Sequence, residues 1–303
     1  QFCREYLRFV EILEGSGPET ARIFRRDESG ASLRLLCMDP SGWMRTRFAD
    51  FVGGVLLSAT LKPAEYHVDL LGLGDRVRVA DFPSHFPAEN RGVVLATGVS
   101  TAYRDREPHK EATAQLIREV LEATPGNSAV YYSSYAMLRS LCPLTEVEGR
   151  QSLVQTRNLD DAARAALVAS LVSTEGDKVL HAVLGGVFAE GVDLPVGVLS
   201  SVVVVGPAYP QVGLERDFIR RWCEEKYGRG FDYAFLIPGM NRVVQAAGRI
   251  IRSQEDRGMV ILVGRRFGWS QSRELLPQEW ASQSSKTPAD AVRAFWESSA
   301  ESG

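Results

Sequence analysis

Apolar and polar positions along this 303-residue chain change period repeatedly, and each change marks an element. Phe2, Tyr6, Phe9 and Leu13 recur at helical spacing and predict a helix over 2–14, ended by Gly15-Ser16-Gly17-Pro18. Ala21–Arg25 and Ser32–Met38, joined around Asp27–Gly30, predict a hairpin. Residues 41–50 are mixed and predict no element. Gly54–Leu57 is a short apolar run that predicts a buried strand, and Pro63 opens a helix to Leu71. The stretch 81–91, with Pro83 and Pro87, reads as a connector. Beyond it, strands at Val93–Thr97, Ala129–Tyr132, 152–156, 179–184, 199–205 and Met259–Val263 alternate with helices at Pro108–Ala123, 134–141, 159–173, 214–226 and 241–252. Residues 282–285 form a polar Ser/Gln patch, and Thr287-Pro288 caps a last helix carrying Val292, Phe295 and Trp296. Strand–helix units with near-continuous apolar strands predict an α/β fold, its sheet mostly parallel with helices on both faces.

Composition narrows this picture. The chain is 45% hydrophobic and 24% charged, which suits a packed core and argues against wholesale disorder. A net charge of −3 means that any nucleic-acid surface is a local stripe, not a global basic field. Cys3, Cys37, Cys142 and Cys223 are scattered without C-x-x-C spacing and read as isolated thiols, so no metal site is expected. No apolar run approaches the ~18 residues of a membrane span. The chain opens on Gln1 rather than Met, which predicts a piece of a longer protein.

The most informative stretch is 241–267. On a helix, Arg242, Gln245, Gly248, Arg249 and Arg252 share one stripe, and Val243, Ala247, Ile250 and Ile251 fall opposite. A glycine in a helix interior costs about 1 kcal/mol against alanine, so Gly248 predicts a close neighbour. Guanidinium groups suit phosphate oxygens, being permanently charged and carrying a fork of donors.

Gln245-x-x-Gly248-Arg249-x-x-Arg252 resembles motif VI of superfamily 2 helicases, and Asp256-Arg257-Gly258, a strand and Arg265-Arg266-Phe267 narrow the likeness to the XPD/DinG group of iron–sulphur DNA helicases. Ser58-Ala59-Thr60 resembles motif III. Asn127–Tyr135, ending in Ser133-Ser134-Tyr135, resembles motif IV, and Gly185–Pro195, with Glu190-Gly191-Val192-Asp193 at its core, resembles motif V. Gly206-Pro207-Ala208-Tyr209, with Ala208 as an insertion, the helix from Leu214, and Leu276-Pro277 with Trp280 match further segments, and Met38-Asp39-Pro40 resembles the exit of the group's Arch insertion. The resemblance implies a RecA-like motor domain over 75–303, the last strand and helix of a first motor domain over 51–74, and the tail of the Arch over 1–50. It implies catalytic roles for Arg252, Arg249 and Gln245, and nucleotide binding by Glu190, Gly191 and Asp193. It implies DNA binding by Ser133, Ser134, Tyr135, Gly185 and Gly186, and coupling through Ser58, Ala59 and Thr60. The bland alternatives are a helix cap for Ser134 and a solvated face for the arginines.

A phosphate-binding Gly-Lys pair is missing: Lys62, Lys110, Lys178, Lys226 and Lys286 are the five lysines and none follows a glycine. The resemblance therefore implies that ATP and magnesium are shared with the first motor domain, and that the family's 4Fe–4S cluster belongs to the full-length protein rather than to this chain. The implied partners are single-stranded DNA and that first motor domain, with no membrane. The implied place is the cytoplasm or nucleoid of a prokaryote or the nucleus of a eukaryote. The competing expectation is a non-catalytic nucleic-acid-binding or partner-docking module derived from a helicase.

Overall fold

The computed structural model describes residues 2–28, 30–192 and 194–300; of Phe2, Asp27, Glu190, Ser299 and Ala300 it describes the backbone alone. The chain begins with α1 (Phe2–Gly15), the antiparallel hairpin β1 (Thr20–Asp27) and β2 (Gly30–Cys37), α2 (Ser41–Phe48) and α3 (Ala64–Leu71). It then alternates β3 (Arg91–Ala96), α4 (Lys110–Ala123), β4 (Ser128–Tyr132), α5 (Tyr135–Leu141), β5 (Gln151–Val154), α6 (Asp161–Val172), β6 (Lys178–Val183) and β7 (Ser201–Val205). After α7 (Leu214–Tyr227) come α8 (Ile237–Ala247), β8 (Gly258–Val263), α9 (Ser270–Glu274), β9 (Gln283–Ser285) and α10 (Pro288–Ala300).

By packing, the chain forms two compact units: residues 1–80 with 210–237, and residues 81–209 with 238–303. In the first unit, Asp39 is buried and accepts hydrogen bonds from the Ser41 amide (2.9 Å), Trp222 Nε1 (3.1 Å), the Tyr227 hydroxyl (3.0 Å) and Lys226 Nζ. Burial pushes its carboxyl up, but these donors outweigh that and hold it at about 2. Glu215 of α7 accepts from Arg34 and Arg25 of the hairpin (2.7 and 3.2 Å). Gly72 ends α3 at φ +63°, where a Cβ would lie 2.2 Å from the Ser41 carbonyl oxygen, so both conformation and space require glycine.

The second unit is a seven-stranded sheet in the order β5-β6-β4-β7-β8-β3-β9, parallel throughout. Strands β4, β6, β7 and β8 are buried along their whole length, which is why their sequences run apolar without alternation. One face packs Val130, Val203 and Ile261 against Ile117 and Leu121 of α4, Leu138 of α5 and Val292 of α10.

Three expectations change. Gly54–Leu57 is not a buried strand: residues 51–57 are irregular, with Val55 82% and Leu57 85% exposed. An isolated apolar run has no ladder to complete, and hydrophobicity alone does not supply one. The mixed stretch 41–50 contains α2. The polar patch at 282–285 contains β9, an edge strand whose polar side chains suit a solvent-facing border and hide it from periodicity.

Candidate nucleotide-coupling and nucleic-acid site

The loop after β6 leaves the sheet at its carboxyl end, where ligands of open α/β sheets are bound. Gly185 takes φ +72°, and a Cβ there would lie 3.4 Å from the guanidinium carbon of Arg242 on α8. A Cβ on Gly186 would lie 2.9 Å from both the Val183 carbonyl oxygen and Gln155 Nε2, so the pair of glycines lets the chain fold back tightly. Val187–Gly191 form a single π-type turn. Phe188 in that turn is buried, and its carbonyl accepts a 3.1 Å hydrogen bond from the hydroxyl of Tyr131 on β4. Burial pushes the Tyr131 phenol up to about 12, and the charges of Arg249 and Arg252 pull against that shift.

Both arginines reach this loop. The Arg249 guanidinium donates to the Val192 carbonyl, and Arg252 Nη1 donates to the Leu194 carbonyl at 2.8 Å. They do so from a turn, which corrects the expectation of one helical stripe. α8 ends at Ala247, so of the stripe only Arg242 and Gln245 are helical, and Gln245 lies on the exposed side. The buried Asp256 accepts from the backbone amides of Arg252 (2.7 Å) and Ser253 (2.8 Å), a local alternative to continuing the helix. Gly248 has no foreign neighbour: a Cβ there would meet the Val244 and Gln245 carbonyl oxygens at 3.0 and 3.9 Å and nothing else within 4 Å. The Glu190 side chain and Asp193 lie outside the described residues.

At the start of α5, Ser134 caps the helix, its Oγ accepting from the Met137 amide at 3.2 Å. Ser133 Oγ lies 3.5 Å from Met137 Sδ. The Tyr135 hydroxyl accepts from Gln155 Nε2 (3.0 Å) and donates to the Thr156 carbonyl (3.4 Å), and the Arg157 guanidinium sits 5.3 Å from its ring centroid. Gln155 Oε1 meanwhile accepts from the Val183 amide at 3.0 Å. One buried amide therefore ties the Tyr135 turn to the glycine loop.

The family profile described as helicase C-terminal domain matches residues 117–283, which span both the Tyr135 turn and the arginine-bearing turn. The chain belongs to that family. It corresponds to the C-terminal portion of XPD-like superfamily 2 helicases, and its sheet unit is RecA-like. A probable ATP-dependent helicase of Methanocaldococcus jannaschii is 29% identical over 227 residues, 69% of this chain and 34% of that protein. The ATP-dependent DNA helicase XPD of Sulfolobus acidocaldarius is 25% identical over 221 residues, covering 70% and 39%. The XPD subunit of general transcription and DNA repair factor IIH from Schizosaccharomyces pombe is 23% identical over 296 residues, covering 91% and 37%. These relatives are each matched over little more than a third of their length. A solved XPD helicase shares the fold at TM-score 0.65 and 19% identity over 92% of this chain and 50% of that one.

The remaining expected residues of this helicase portion lie in its first unit. Ser58 and Thr60 hydroxyls are 3.3 Å apart, the Thr60 amide donates to Ser58 Oγ at 3.2 Å, and His67 Nε2 lies 3.0 Å from the Thr60 carbonyl oxygen. The four thiols do not fit an iron–sulphur cluster. Cys3 and Cys37 are exposed, while burial pushes Cys142 and Cys223 up to about 11, away from the thiolate a cluster needs. No three described His, Cys, Asp or Glu side chains come together as a metal site, and no helix among the described residues is long and apolar enough to cross a membrane. Sequence reasoning missed Tyr131, Gln155 and Asp256 as organisers of the site. The signal available for Tyr131 was a phenol within a strand buried on both faces, which needs a partner for its hydroxyl.

Proposed function

We propose that the chain is the C-terminal motor half of an ATP-dependent, 5′-to-3′ DNA helicase acting on single-stranded DNA. The observation that carries this reading is the convergence of Arg249 and Arg252 on the 185–194 loop at the carboxyl end of the sheet. The donor set fits a nucleotide: two fixed cations beside a glycine-bearing loop meet triphosphate oxygens, and bound ATP supplies the phosphoryl group whose transfer drives movement. In this reading Arg252, supported by Arg249 and Gln245, neutralises charge on phosphates held by the first motor domain of the same protein. Gly191, with Glu190 and Asp193, takes the nucleotide side. ATP and magnesium are shared with that first motor domain, and the 4Fe–4S cluster belongs to the full-length protein rather than to this chain. Ser133, Ser134, Tyr135, Gly185 and Gly186 line the DNA path, and Ser58, Ala59 and Thr60 relay nucleotide state. The division at residues 50 and 74 is part of this reading and rests on the motif order alone.

The test is steady-state kinetics in the complete helicase. Arg252→Ala is expected to lower DNA-stimulated hydrolysis by on the order of 10³–10⁵, with Arg252→Lys recovering little. One observation favours a second reading, a non-catalytic nucleic-acid-binding or docking module: both guanidinium groups anchor loop carbonyls. If anchoring is their whole role, Arg252→Ala lowers the melting temperature and leaves turnover near normal, and the catalytic assignment of Arg252 falls; absence of DNA-stimulated hydrolysis by the complete wild-type protein is what overturns the motor reading.

A further inference from the structure

The edge of the sheet unit ends in an unusual way. Gln155 follows β5, and its backbone amide still donates to the His181 carbonyl of β6 at 2.9 Å. Parallel pairing carried on by one residue would give the Val183 amide of β6 to the Gln155 backbone carbonyl. That amide goes instead to the Gln155 side chain, donating to Oε1 at 3.0 Å. The side chain thus stands in for its own carbonyl, and the backbone turns away from the sheet. At the other end of the amide, Nε2 donates to the Tyr135 hydroxyl at the start of α5, at 3.0 Å. A Cβ on Gly186 would lie 2.9 Å from the same nitrogen. Its orientation is fixed by these neighbours, because a flipped amide would aim an NH₂ group at the Val183 N–H, donor against donor. Gln155 is only 4% exposed, so neither bond is open to exchange with bulk water.

Both ends of this buried link reach accessible ground. The Tyr135 ring is half-buried and carries the Arg157 guanidinium 5.3 Å from its centroid. On the other side, Gly185 and Gly191 of the loop are exposed. The loop is also held by Tyr131 beneath Phe188 and by the two arginines at Val192 and Leu194. Among these anchors, Gln155 leads to the start of α5 and its accessible ring.

We propose that Gln155 is a positioning residue that couples nucleic-acid occupancy of the Tyr135 turn to the conformation of the 185–194 loop. It acts through the Tyr135 hydroxyl on one side and the Val183 amide on the other. The identity of the ligands rests on the helicase reading above; the link itself does not. A base stacked on the ring that draws the hydroxyl outwards pulls on Nε2, and the amide follows or leaves a buried donor unmet. Moving the amide withdraws Oε1 from Val183, at the root of the loop whose far end Arg249 and Arg252 hold. Two accessible sites thereby bias one element, which is the physical requirement for coupling.

The experiment measures linkage in the complete helicase. The affinity of a labelled oligothymidylate is titrated with and without a non-hydrolysable ATP analogue, and that of the analogue with and without the oligonucleotide. Reciprocity requires the same ratio from both, on the order of 5–150-fold in a coupled protein. Gln155→Met keeps the length and loses both bonds, and is expected to bring the ratio to within about twofold of unity. Tyr135→Phe keeps the ring and loses the hydroxyl, and should lower the ratio equally, with no further loss in the double variant. Gln155→Glu should restore part of it, because a carboxylate accepts from Val183 and from the Tyr135 hydroxyl together. A ratio unchanged in either Gln155→Met or Tyr135→Phe overturns the proposal even where the melting temperature falls, since a purely structural amide affects stability alone. If circular dichroism shows Gln155→Met unfolded, Tyr135→Phe decides by itself. Hydrogen exchange in the 303-residue chain tests the link without a ligand. Tyr135→Phe should speed amide exchange at Val183 and across 186–189, and no change there overturns the link. A wild-type ratio near unity also overturns the coupling. The helicase reading fails separately, on absence of DNA-stimulated hydrolysis by the complete wild-type protein.

Discussion

Gly258–Val263 and residues 51–57 are both short apolar runs beside glycines, yet one is a strand buried along its whole length and the other is irregular and exposed. The difference is not in their side chains. Gly258–Val263 has β7 on one side and β3 on the other, each pairing in parallel register, so every backbone group has a partner and both faces are covered. The 51–57 run has no such neighbours among the described residues. A strand in a parallel sheet is a property of three segments at once, and hydrophobicity states only that a segment is fit to take part.

The harshest way to break this comparison is a charge in the embedded sheet. Val203 on β7 is fully buried, and Val203→Asp should cost more than about 4 kcal/mol, unfolding the sheet unit in a urea titration. Acid should act next. His181 is buried on β6 beside Tyr132, whose hydroxyl is 3.0 Å from its Nδ1, and burial depresses the imidazole to about 4. A folded pKa below the unfolded value near 6.5 means stability that is complete above pH 6.5 and is lost as pH falls towards 4. The sheet unit should therefore weaken in that window by on the order of 2–3 kcal/mol, and His181→Gln should remove the pH dependence. In the first unit, Asp39 at about 2 gives the same sign in a lower window: stability is present above about pH 4 and lost as pH falls through 2. A single acid transition shared by both units would contradict the assignment.

Tyr131→Phe is smaller. It leaves the Phe188 carbonyl without its donor at the base of the glycine loop, and should cost about 1–2 kcal/mol while raising amide exchange across 187–191. The smallest effect is expected from Leu57→Asp. With that side chain exposed, the melting temperature of this chain should move by an amount equivalent to less than about 0.5 kcal/mol. A loss comparable with that of Val203→Asp would show that the run is embedded after all.

Legibility in the sequence followed the same division. The parallel sheet was legible because strands such as Ser201–Val205 carry their burial in composition, and helices such as Lys110–Ala123 carry theirs in period. The edge strand Gln283–Ser285 was not, because a polar border has neither signal. At the candidate site, the spacing of Gln245, Gly248, Arg249 and Arg252 predicted one helical stripe, whereas α8 ends at Ala247 and the two arginines meet the 185–194 loop from a turn. The turn that aims the arginines is closed by Asp256, and a carboxylate capturing two amides leaves no periodic trace. Gln155 was invisible for the same reason: its work is to bridge Tyr135 and Val183, residues that meet only once the sheet exists.

The first unit also has a consequence for how the protein is made. Its buried Asp39 is satisfied by Trp222, Lys226 and Tyr227, separated from it by 183 to 188 residues. At a synthesis rate of about 5–20 residues per second, the first eighty residues wait roughly 10–30 s for residues 210–237 to be translated. Through that interval the Asp39 carboxylate lacks those donors, and the hairpin lacks the Glu215 that its arginines meet. A ribosome stalled after β7 would therefore hold residues 1–80 with the Trp222, Lys226 and Tyr227 donors of Asp39 and the Glu215 partner of the hairpin still unmade.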